Sequence, residues 1–146
     1  MKLLLAWIGT GRPSRNEWEV EYLRRIQPYA SAEMAVFRSE DEFFAKAVAQ
    51  QARTAPVLVL LDSRGRQFTS EQFAEWLGRR RDEGRQRIIF AIGPADGWSE
   101  AARKRASLLL SLSAMTLPHE LARVLLCEQV YRAFTILSGH PYHTGH

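Results

Sequence analysis

The chain has 146 residues, a formal net charge of +4, 46% hydrophobic residues and 25% charged residues. These proportions are ordinary for a soluble globular protein, and the length predicts one domain, residues 1–146, with its own hydrophobic core. A single cysteine, Cys127, excludes a disulfide framework within the chain, which fits a reducing compartment. No apolar run approaches the length that spans a bilayer, so the composition also argues against a membrane protein.

The start of the chain predicts a first strand over Lys2–Ile8. The same stretch resembles the front of a signal peptide, but its apolar run is short and no small-residue cleavage site follows it. A buried strand is the better interpretation, and we expect a cytoplasmic protein.

A helix is predicted next, because Trp18, Tyr22 and Ile26 recur at helical spacing and Ser14 with Glu17 has the pattern of a capping box. The following elements are, in chain order, a strand over Ala32–Arg38, a helix from the cap Ser39 to Arg53, a strand over Pro56–Leu61, a loop over Asp62–Gln67, a helix from the cap Thr69 or Ser70 to Arg80, a strand over Arg87–Ile92, a helix from the cap Ser99 to about Ala106, and a strand over Leu108–Leu112. Strands that alternate with helices predict an α/β fold with a mostly parallel sheet flanked by helices.

The last predicted element is a long helix. Pro118 suits its first position, Gly139 ends it as a left-handed cap, and Pro141 prevents its resumption. We expect the tail, His140–His143, to be an extended polar segment beside the helix end. The apolar surface of the helix is wider than one contact with a sheet requires, so we expect the helix to pack on a partner chain as well. The residues of this surface are Leu121, Val124, Leu125, Val130, Phe134 and Leu137.

Polar residues of the same helix have plain structural interpretations. Glu128 and Arg132 stand four residues apart in the favourable orientation of a surface ion pair. His119 and Arg123 form a second polar face, for which a structural role is the simpler hypothesis. Cys127 is predicted to be a buried, inert thiol, since no neighbouring motif activates it.

Three connections lie where parallel α/β sheets bind ligands, beyond the carboxyl ends of the strands: Asp62–Gln67, Gly93–Gly97 and Ser113–Pro118. The glycines of the second let backbone approach a ligand closely, although the segment matches neither the P-loop nor the dinucleotide pattern, and a plain turn is the alternative. Small side chains and free N–H groups at a helix start make the third a candidate pocket wall, with a simple strand–helix connection as the alternative.

Two further features bear on function. The tail has His140, His143 and His146 at a spacing of three, but no carboxylate or cysteine joins them, and we predict no metal site.

Seventeen of the 20 basic residues are arginine, which favours phosphate and base contacts in nucleic acid as much as it favours solvated helix faces. The arginine-rich clusters are Arg24-Arg25, Arg79-Arg80-Arg81, Arg85, Arg87 and Arg103-Lys104-Arg105.

The C-terminal sequence LSLSAMTLPHELARVLLCEQVYRA, followed by HPYH, resembles the RlmH family. These SPOUT-class enzymes methylate N3 of a pseudouridine in bacterial 23S ribosomal RNA. The start MKLLLAWIGT and the segments Glu21–Arg25, Leu60–Asp62 and Ile92–Gly97 are similar to corresponding segments of that family, so the resemblance spans the chain.

The resemblance implies a SPOUT methyltransferase fold with a C-terminal trefoil knot, a homodimer whose active site is completed across the interface, and large-subunit ribosomal RNA as partner. It implies S-adenosylmethionine as methyl donor and no metal. Arg132 would stabilise negative charge on the target base, while Tyr142 or His143 would position the base or relay its proton. The cofactor-binding residues implied are Leu61, Gly93, Pro94, Gly97, Ser113, Ala114, Met115, Thr116, Leu117 and Pro118.

Pro94 departs from the family pattern, which has a second glycine at this position. Proline lacks the backbone N–H and restricts Gly93 to extended geometry, so a lost amide contact would weaken cofactor binding by about 1 kcal/mol. A non-catalytic RNA- or ribosome-binding module on the same fold is therefore the alternative function. A phosphate-handling enzyme is disfavoured, because the glycine loop lacks the lysine and hydroxyl that such chemistry uses.

Overall fold

The computed structural model describes residues 1–9, 16–49 and 54–145, in which strands and helices alternate. The strands are β1 (Lys2–Ile8), β2 (Ser31–Phe37), β3 (Val57–Gln67), β4 (Arg87–Ile92) and β5 (Leu108–Ser111). The helices are α1 (Glu17–Ile26), α2 (Glu40–Phe43, continued by a π-helical turn over Phe44–Val48), α3 (Ser70–Asp82), α4 (Glu100–Arg105) and α5 (His119–Ser138), and a short 3-10 turn covers His143–Gly145.

The five strands form one sheet in the order β2-β1-β4-β3-β5, and each of these pairings is parallel. The inner strands are buried on both faces, which requires a helical layer on each side. Side chains of α1, α3 and α5 pack on one face, where Ile26, Leu77 and Leu126 are fully buried. Side chains of α2 and α4 pack on the other, around Phe43 and Ala102. The predicted α/β fold with flanking helices is confirmed.

Several predicted helix caps are confirmed, and one is wrong. Ser39, Thr69 and Ser99 each accept a backbone N–H of the following turn, and Gly139 ends α5 in the left-handed conformation with φ of 75°. However, α1 begins at Glu17, and its N-cap is Asn16, whose side chain accepts the N–H of Trp18. A short amide directly before the helix is as good a cap as serine. Ser14 lies outside the described residues.

Two other helix boundaries differ from the prediction. Pro118 is the N-cap of α5 and not its first helical residue, because its ψ of 145° is extended. The helix expected to reach Arg53 ends at Val48, where the π-helical turn closes, and Gln50–Arg53 lie outside the described residues. Neither shift moves an apolar face away from the core.

The predicted loop Asp62–Gln67 is wrong, because this segment belongs to β3. After Leu61 the strand leaves the regular ladder and pairs with β5 again through Arg66, which meets the same Leu110 that Leu61 meets. A Cβ on Gly65 would lie 2.6 Å from the carbonyl oxygen of Leu109, so only glycine permits this close backbone approach. The trefoil knot implied by the family resemblance stays a prediction. None of the described helices is long and apolar enough to cross a membrane.

Cys127 is fully buried in α5, as predicted, and burial raises the pKa of its thiol from 9.0 to about 12. We expect the native protein to react with a thiol reagent only as fast as it unfolds.

Because the unfolded thiol ionises near its ordinary pKa and the folded one does not, the free energy of unfolding should fall as pH rises from 9.0 to about 12. Denaturant titrations of wild type and Cys127→Ala would test this, since the variant should lack that part of the slope. Equal slopes would contradict the prediction.

Candidate functional site

A cleft opens at the carboxyl ends of β4 and β5 and beside the part of β3 where its ladder is interrupted after Leu61, against the N-terminal turn of α5. Its larger lobe has a volume of about 550 Å³ and its smaller lobe about 200 Å³. We call the two lobes together the strand-end cleft. The walls that both lobes share are Leu61, Asp62, Ser63, Ile92, Leu117 and Ala122. This is the crevice in which parallel α/β sheets bind their ligands.

Most of the predicted cofactor-binding residues lie in this cleft. The larger lobe is lined by Leu61, Gly93, Pro94, Gly97 and Leu117, and the smaller lobe adds Ser113, Met115 and Thr116. Ala114 and Pro118 are exposed and are not among the wall residues. Ala114 lies in a serine turn, in which the hydroxyl of Ser113 accepts the N–H of Met115 at 2.9 Å.

The Gly93–Gly97 loop is a compact turn despite its proline. The N–H of Gly97 donates to the carbonyl of Pro94 at 2.8 Å, and Gly97 has a positive φ of 87°. Pro94 stands at the first position of this turn, where only its carbonyl is needed. The indole N–H of Trp98 donates to the carbonyl of Leu61 at 3.1 Å, which ties the loop to the middle of β3. A Cβ on Gly93 would lie 2.7 Å from that indole, so glycine is needed here.

Charged groups in the cleft are few and mostly engaged. The described walls contain two carboxylates, Asp62 and Asp96. Asp62 pairs with Arg103 at 2.9 Å and accepts the backbone N–H of Arg64 at 2.8 Å. Desolvation, followed by the charge of Arg123, lowers the pKa of His119. The cleft therefore offers apolar surface and backbone groups, which suit binding better than acid–base chemistry. Asp62 was predicted only as the start of a ligand-facing connection, and Ile92 and Ala122 were missed, although Ile92 follows from the strand-end rule.

The C-terminal tail is folded and not extended, which corrects the prediction. The left-handed Gly139 reverses the chain, and the N–H of Tyr142 donates to Nδ1 of His140 at 3.1 Å. The ring of Tyr142 packs edge-on against Tyr131, with centroids 4.8 Å apart. The tail therefore lies back on α5.

This fold brings together the three predicted catalytic residues, Arg132, Tyr142 and His143. The hydroxyl of Tyr142 donates to Oε2 of Glu128 at 2.8 Å, and Nη2 of Arg132 donates to the same oxygen at 2.7 Å. Nη1 of Arg132 lies 2.9 Å from Nδ1 of His143, and Nε2 of His143 lies 2.7 Å from Oε1 of Glu71. We call these five residues the tail cluster. The surface pair predicted for Glu128 and Arg132 forms, but its two side chains are only 14% and 13% exposed.

The neighbours of His143 determine its tautomer. A guanidinium can only donate hydrogen bonds, so Nδ1 of His143 must accept from Arg132. A carboxylate can only accept, so Nε2 carries the hydrogen and donates to Glu71. The contact with His143 is the main reason that the pKa of Glu71 is lowered. Burial, followed by hydrogen bonding, raises the pKa of Tyr142, so its hydroxyl stays protonated. Both nitrogens of His143 are engaged, and it is not a free base in this arrangement.

The cleft and the tail cluster are separated within one chain. Ala122 lines the cleft and Arg132 belongs to the tail cluster, and Arg132 follows Ala122 by ten positions on α5. At the rise of an α-helix this is about 15 Å. The two halves of the predicted active site therefore do not meet within one chain.

A buried ion pair joins α1 to α5. Nε of Arg123 lies 2.9 Å from Oε1 of Glu19, whose residue is fully buried, and the guanidinium stacks 5.2 Å from the ring centre of Trp7. Burial raises the pKa of Glu19, and the charge of Arg123 opposes that shift. The structural hypothesis for Arg123 agrees with this position. Glu19 was missed, since nothing local separates it from the neighbouring Glu17 and Glu21.

The arginine clusters are mostly engaged in surface ion pairs. Arg79 pairs with Glu75, Arg80 with Glu83, and Arg24 and Arg25 both pair with Glu21. Such pairs are typical of solvated helix faces. The RNA footprint proposed for the clusters stays a prediction. No three His, Cys, Asp or Glu side chains gather as metal ligands within residues 1–9, 16–49 and 54–145, and His146 lies outside them.

A family model described as "Predicted SPOUT methyltransferase" matches residues 1–143. The chain belongs to the SPOUT methyltransferase family. A relative from Koribacter versatilis, named ribosomal RNA large subunit methyltransferase H, is 52% identical over the full length of both chains. A relative of the same name from Geobacter sp. strain M21 is 42% identical, over 98% of this chain and 99% of its own. The resemblance to the RlmH family is thereby confirmed.

A solved structure supports the SPOUT methyltransferase fold. A probable methylase family protein from Haemophilus influenzae aligns with a TM-score of 0.55 over 96% of this chain and 69% of its own. The two sequences are 13% identical, so this likeness concerns the fold alone.

Proposed function

We propose that this SPOUT methyltransferase transfers a methyl group from S-adenosylmethionine to N3 of a pseudouridine in large-subunit ribosomal RNA. The observation that carries the proposal is the strand-end cleft, since eight of the ten residues predicted for the cofactor line it. The 52% identity to a relative named for large-subunit RNA methylation supports the substrate class. Because bacterial ribosomes are cytoplasmic, we place the activity in the cytoplasm.

The walls of the cleft fit the chemistry of this methyl donor. Leu61, Ile92, Leu117 and Ala122 offer apolar surface for an adenosine group, and the turn at Gly93 brings backbone groups close to the ligand. When bound, S-adenosylmethionine supplies an electrophilic methyl group. No metal enters the proposal, because the donor is already activated by its sulfonium charge.

The tail cluster supplies the groups that the target base requires. N3 of a uracil-type ring carries a proton at neutral pH. In the proposed transfer this proton passes to water, and the bond from N3 to the methyl group forms as the sulfur–methyl bond breaks and leaves a neutral thioether. Negative charge develops on the ring as the proton leaves. Arg132 is suited to stabilise this charge, and Tyr142 to hold the N–H edge. His143 acts by holding Arg132, since both of its ring nitrogens are already engaged. The target base must leave its stack to reach these groups.

We further propose a homodimer in which each cleft faces the tail cluster of the partner. The separation of about 15 Å along α5 leaves each site incomplete within one chain. The outer surface of α5 carries Leu121, which is 47% exposed, together with the half-buried Val124 and Leu125, and Met115 nearby is 78% exposed. A second copy would cover this apolar surface.

Deletion and complementation of the gene test the proposed function. We expect one methyl group to disappear from a pseudouridine of the large-subunit RNA in the deletion strain and to return with the wild-type gene. Mass spectrometry of RNA fragments measures both the site and the modified nucleoside. Unchanged methylation in the deletion strain would refute the function, and loss at another atom would refute the N3 assignment.

Mixing two inactive variants tests the shared active site. Ala122→Phe fills the cleft, and Arg132→Ala removes the charge of the tail cluster. If the cleft of one protomer works with the tail of its partner, random exchange restores activity in about a quarter of the sites. If both halves belonged to one protomer, mixing would restore none. Each variant mixed with itself is the control.

Pro94 bears on the alternative function, a non-catalytic RNA-binding module. We expect Pro94→Gly to bind S-adenosylmethionine about fivefold more tightly, because glycine restores one backbone donor worth about 1 kcal/mol. Calorimetry of both proteins with this ligand and its demethylated product measures the difference. Equal affinities would show that position 94 offers no amide contact. No binding by wild type at millimolar ligand would favour the binding module.

A further inference from the structure

The polar segment of β3, residues 62–67, forms part of the rim of the strand-end cleft. Ser63 lines both lobes of the cleft, and Arg64 lines the larger lobe. Arg66 pairs with Leu110 of β5, which lines the smaller lobe. We call residues 62–67 the β3 extension. Its two arginines are exposed and lie beside the proposed cofactor site.

The positive charge of the β3 extension is only partly neutralised. Residues 62–67 contain two arginines, one carboxylate and no other charged residue, which leaves a net charge of +1. Nε of Arg64 lies 3.6 Å from Oδ1 of Asp62, which is beyond hydrogen-bond distance, and Asp62 is also the partner of Arg103, at 2.9 Å. Arg66 has no carboxylate within ion-pair distance in the part of the chain that the structure describes.

The arginines of the helices differ in this respect. Arg24 and Arg25 of α1, and Arg79 and Arg80 of α3, each have a glutamate partner within 3.1 Å. A phosphate that binds one of these side chains must compete with a carboxylate, whereas a phosphate at Arg66 need not. The planar guanidinium can donate two parallel hydrogen bonds to a phosphate. The β3 extension is therefore the more favourable place for an RNA backbone.

The side chain of Arg66 is held in place before any ligand binds. Its guanidinium lies 4.6 Å from the ring centre of Phe68, which is a cation–π distance. A long side chain that already has a fixed position loses less rotamer freedom on binding. The Cα atoms of Arg64 and Arg66 are at most about 7 Å apart, since a strand advances about 3.3 Å per residue. Neighbouring phosphates of an RNA strand have a similar separation, so the two arginines fit adjacent phosphates.

We propose that Arg64 and Arg66 bind phosphates of the ribosomal RNA next to the target pseudouridine, so that the β3 extension holds the RNA backbone at the rim of the cleft. This inference rests on the proposed function, because a base that reaches the methyl donor in the cleft must carry its own phosphates across the rim. Phosphate contacts position the RNA but do not read its sequence. Both arginines are therefore substrate-binding residues and not catalytic ones.

The salt dependence of RNA binding tests the proposal. The affinity of the full-length protein for an RNA fragment of the target loop is measured over a series of KCl concentrations, with the demethylated cofactor product present. On logarithmic axes the affinity falls with salt concentration, with a slope of about −0.7 for each phosphate contact to a single strand. Arg66→Gln should therefore make the slope shallower by about 0.7, and the double variant with Arg64→Gln by about 1.4. Arg66→Lys keeps the charge and should keep the wild-type slope.

Lys46→Gln is the matched control. Lys46 is an exposed cation that pairs with Glu42, outside the β3 extension, and its loss should leave the slope unchanged. A wild-type slope in Arg66→Gln would overturn the inference. An equal change in Lys46→Gln would overturn it as well, because the effect would then come from net charge alone. Urea unfolding of each variant verifies that the fold is retained.

Other occupants of the β3 extension give different results. If Arg64→Gln weakened binding of the demethylated product and left the salt slope unchanged, Arg64 would be a cofactor residue and its assignment to RNA would be wrong. If Arg66→Gln shifted the monomer–dimer equilibrium in sedimentation, the extension would contact a second copy, which would also overturn the inference. Failure of the proposed function is seen separately, as unaltered ribosomal RNA in the deletion strain.

Discussion

Replacing Arg132 with alanine is expected to lower kcat for methyl transfer by at least about a hundredfold, while the affinity for S-adenosylmethionine stays within about twofold. The guanidinium is the one cation in the tail cluster, and under the proposed function it would meet the charge that develops on the target ring. Arg132 is not among the residues that line the cleft, so its loss removes no cleft wall that would hold the cofactor. Single-turnover transfer to ribosomes measures the first quantity, and calorimetry measures the second.

Two further variants decide between charge and structure at this position. Arg132→Lys keeps the charge but loses the contacts that a planar guanidinium makes with Glu128 and His143 at once, so it should recover only part of the rate. Lys46→Ala removes an exposed cation that also pairs four residues away, with Glu42, and lies outside the arginine clusters, so it should have no effect. Full activity in Arg132→Ala would remove this residue from the mechanism.

The second large effect concerns stability. Glu19→Ala removes the carboxylate that Arg123 contacts in the interior, and we expect the free energy of unfolding to fall by about 3–5 kcal/mol. A buried guanidinium without that carboxylate loses attraction and keeps its desolvation cost. The double variant Glu19→Leu with Arg123→Met should be more stable than Glu19→Ala, because it removes both charges. Urea denaturation measures these values, and a loss below about 1 kcal/mol in Glu19→Ala would contradict the prediction.

The same pair predicts a pH dependence. In Arg123→Met the pKa of Glu19 should rise further, since burial already raises it and Arg123 is the main group that lowers it. A carboxyl with a raised folded pKa contributes its full stability below the ordinary value of 4.5, and loses it as pH rises through the folded pKa. The variant should therefore be closest to wild type in acid and furthest from it at neutral pH. A constant difference across this range would contradict the explanation.

Much of the architecture was predictable because its signals are local. The buried runs Leu58–Leu60 and Ile88–Ile92 are apolar on both faces, and Ser39 and Thr69 cap helices through bonds that span three residues. The extension of β3 was not predictable, because Asp62–Gln67 is polar and carries a glycine, as loops do. Its pairing with β5 depends on a backbone more than forty residues away.

The candidate site divides in the same way. The cofactor segments were predictable because the ends of parallel strands lie at one edge of a sheet, whatever the details of the fold. The contacts between side chains that are distant in the sequence were not predictable. His143 meets Glu71, which is 72 residues away, and Arg123 meets Glu19, which is 104 residues away. Nothing in the spacing of either pair distinguishes it from many others.

The sequence by itself determined the alternation of strands and helices, the glycine that ends α5, and the family resemblance, because each depends on residues close together in the chain. Only the tertiary structure decided that the tail folds back, that Glu128 joins Arg132 to Tyr142, and that the cleft lies apart from them. The reason is physical: a polar side chain acquires its role from the groups that replace water around it, and packing selects those groups.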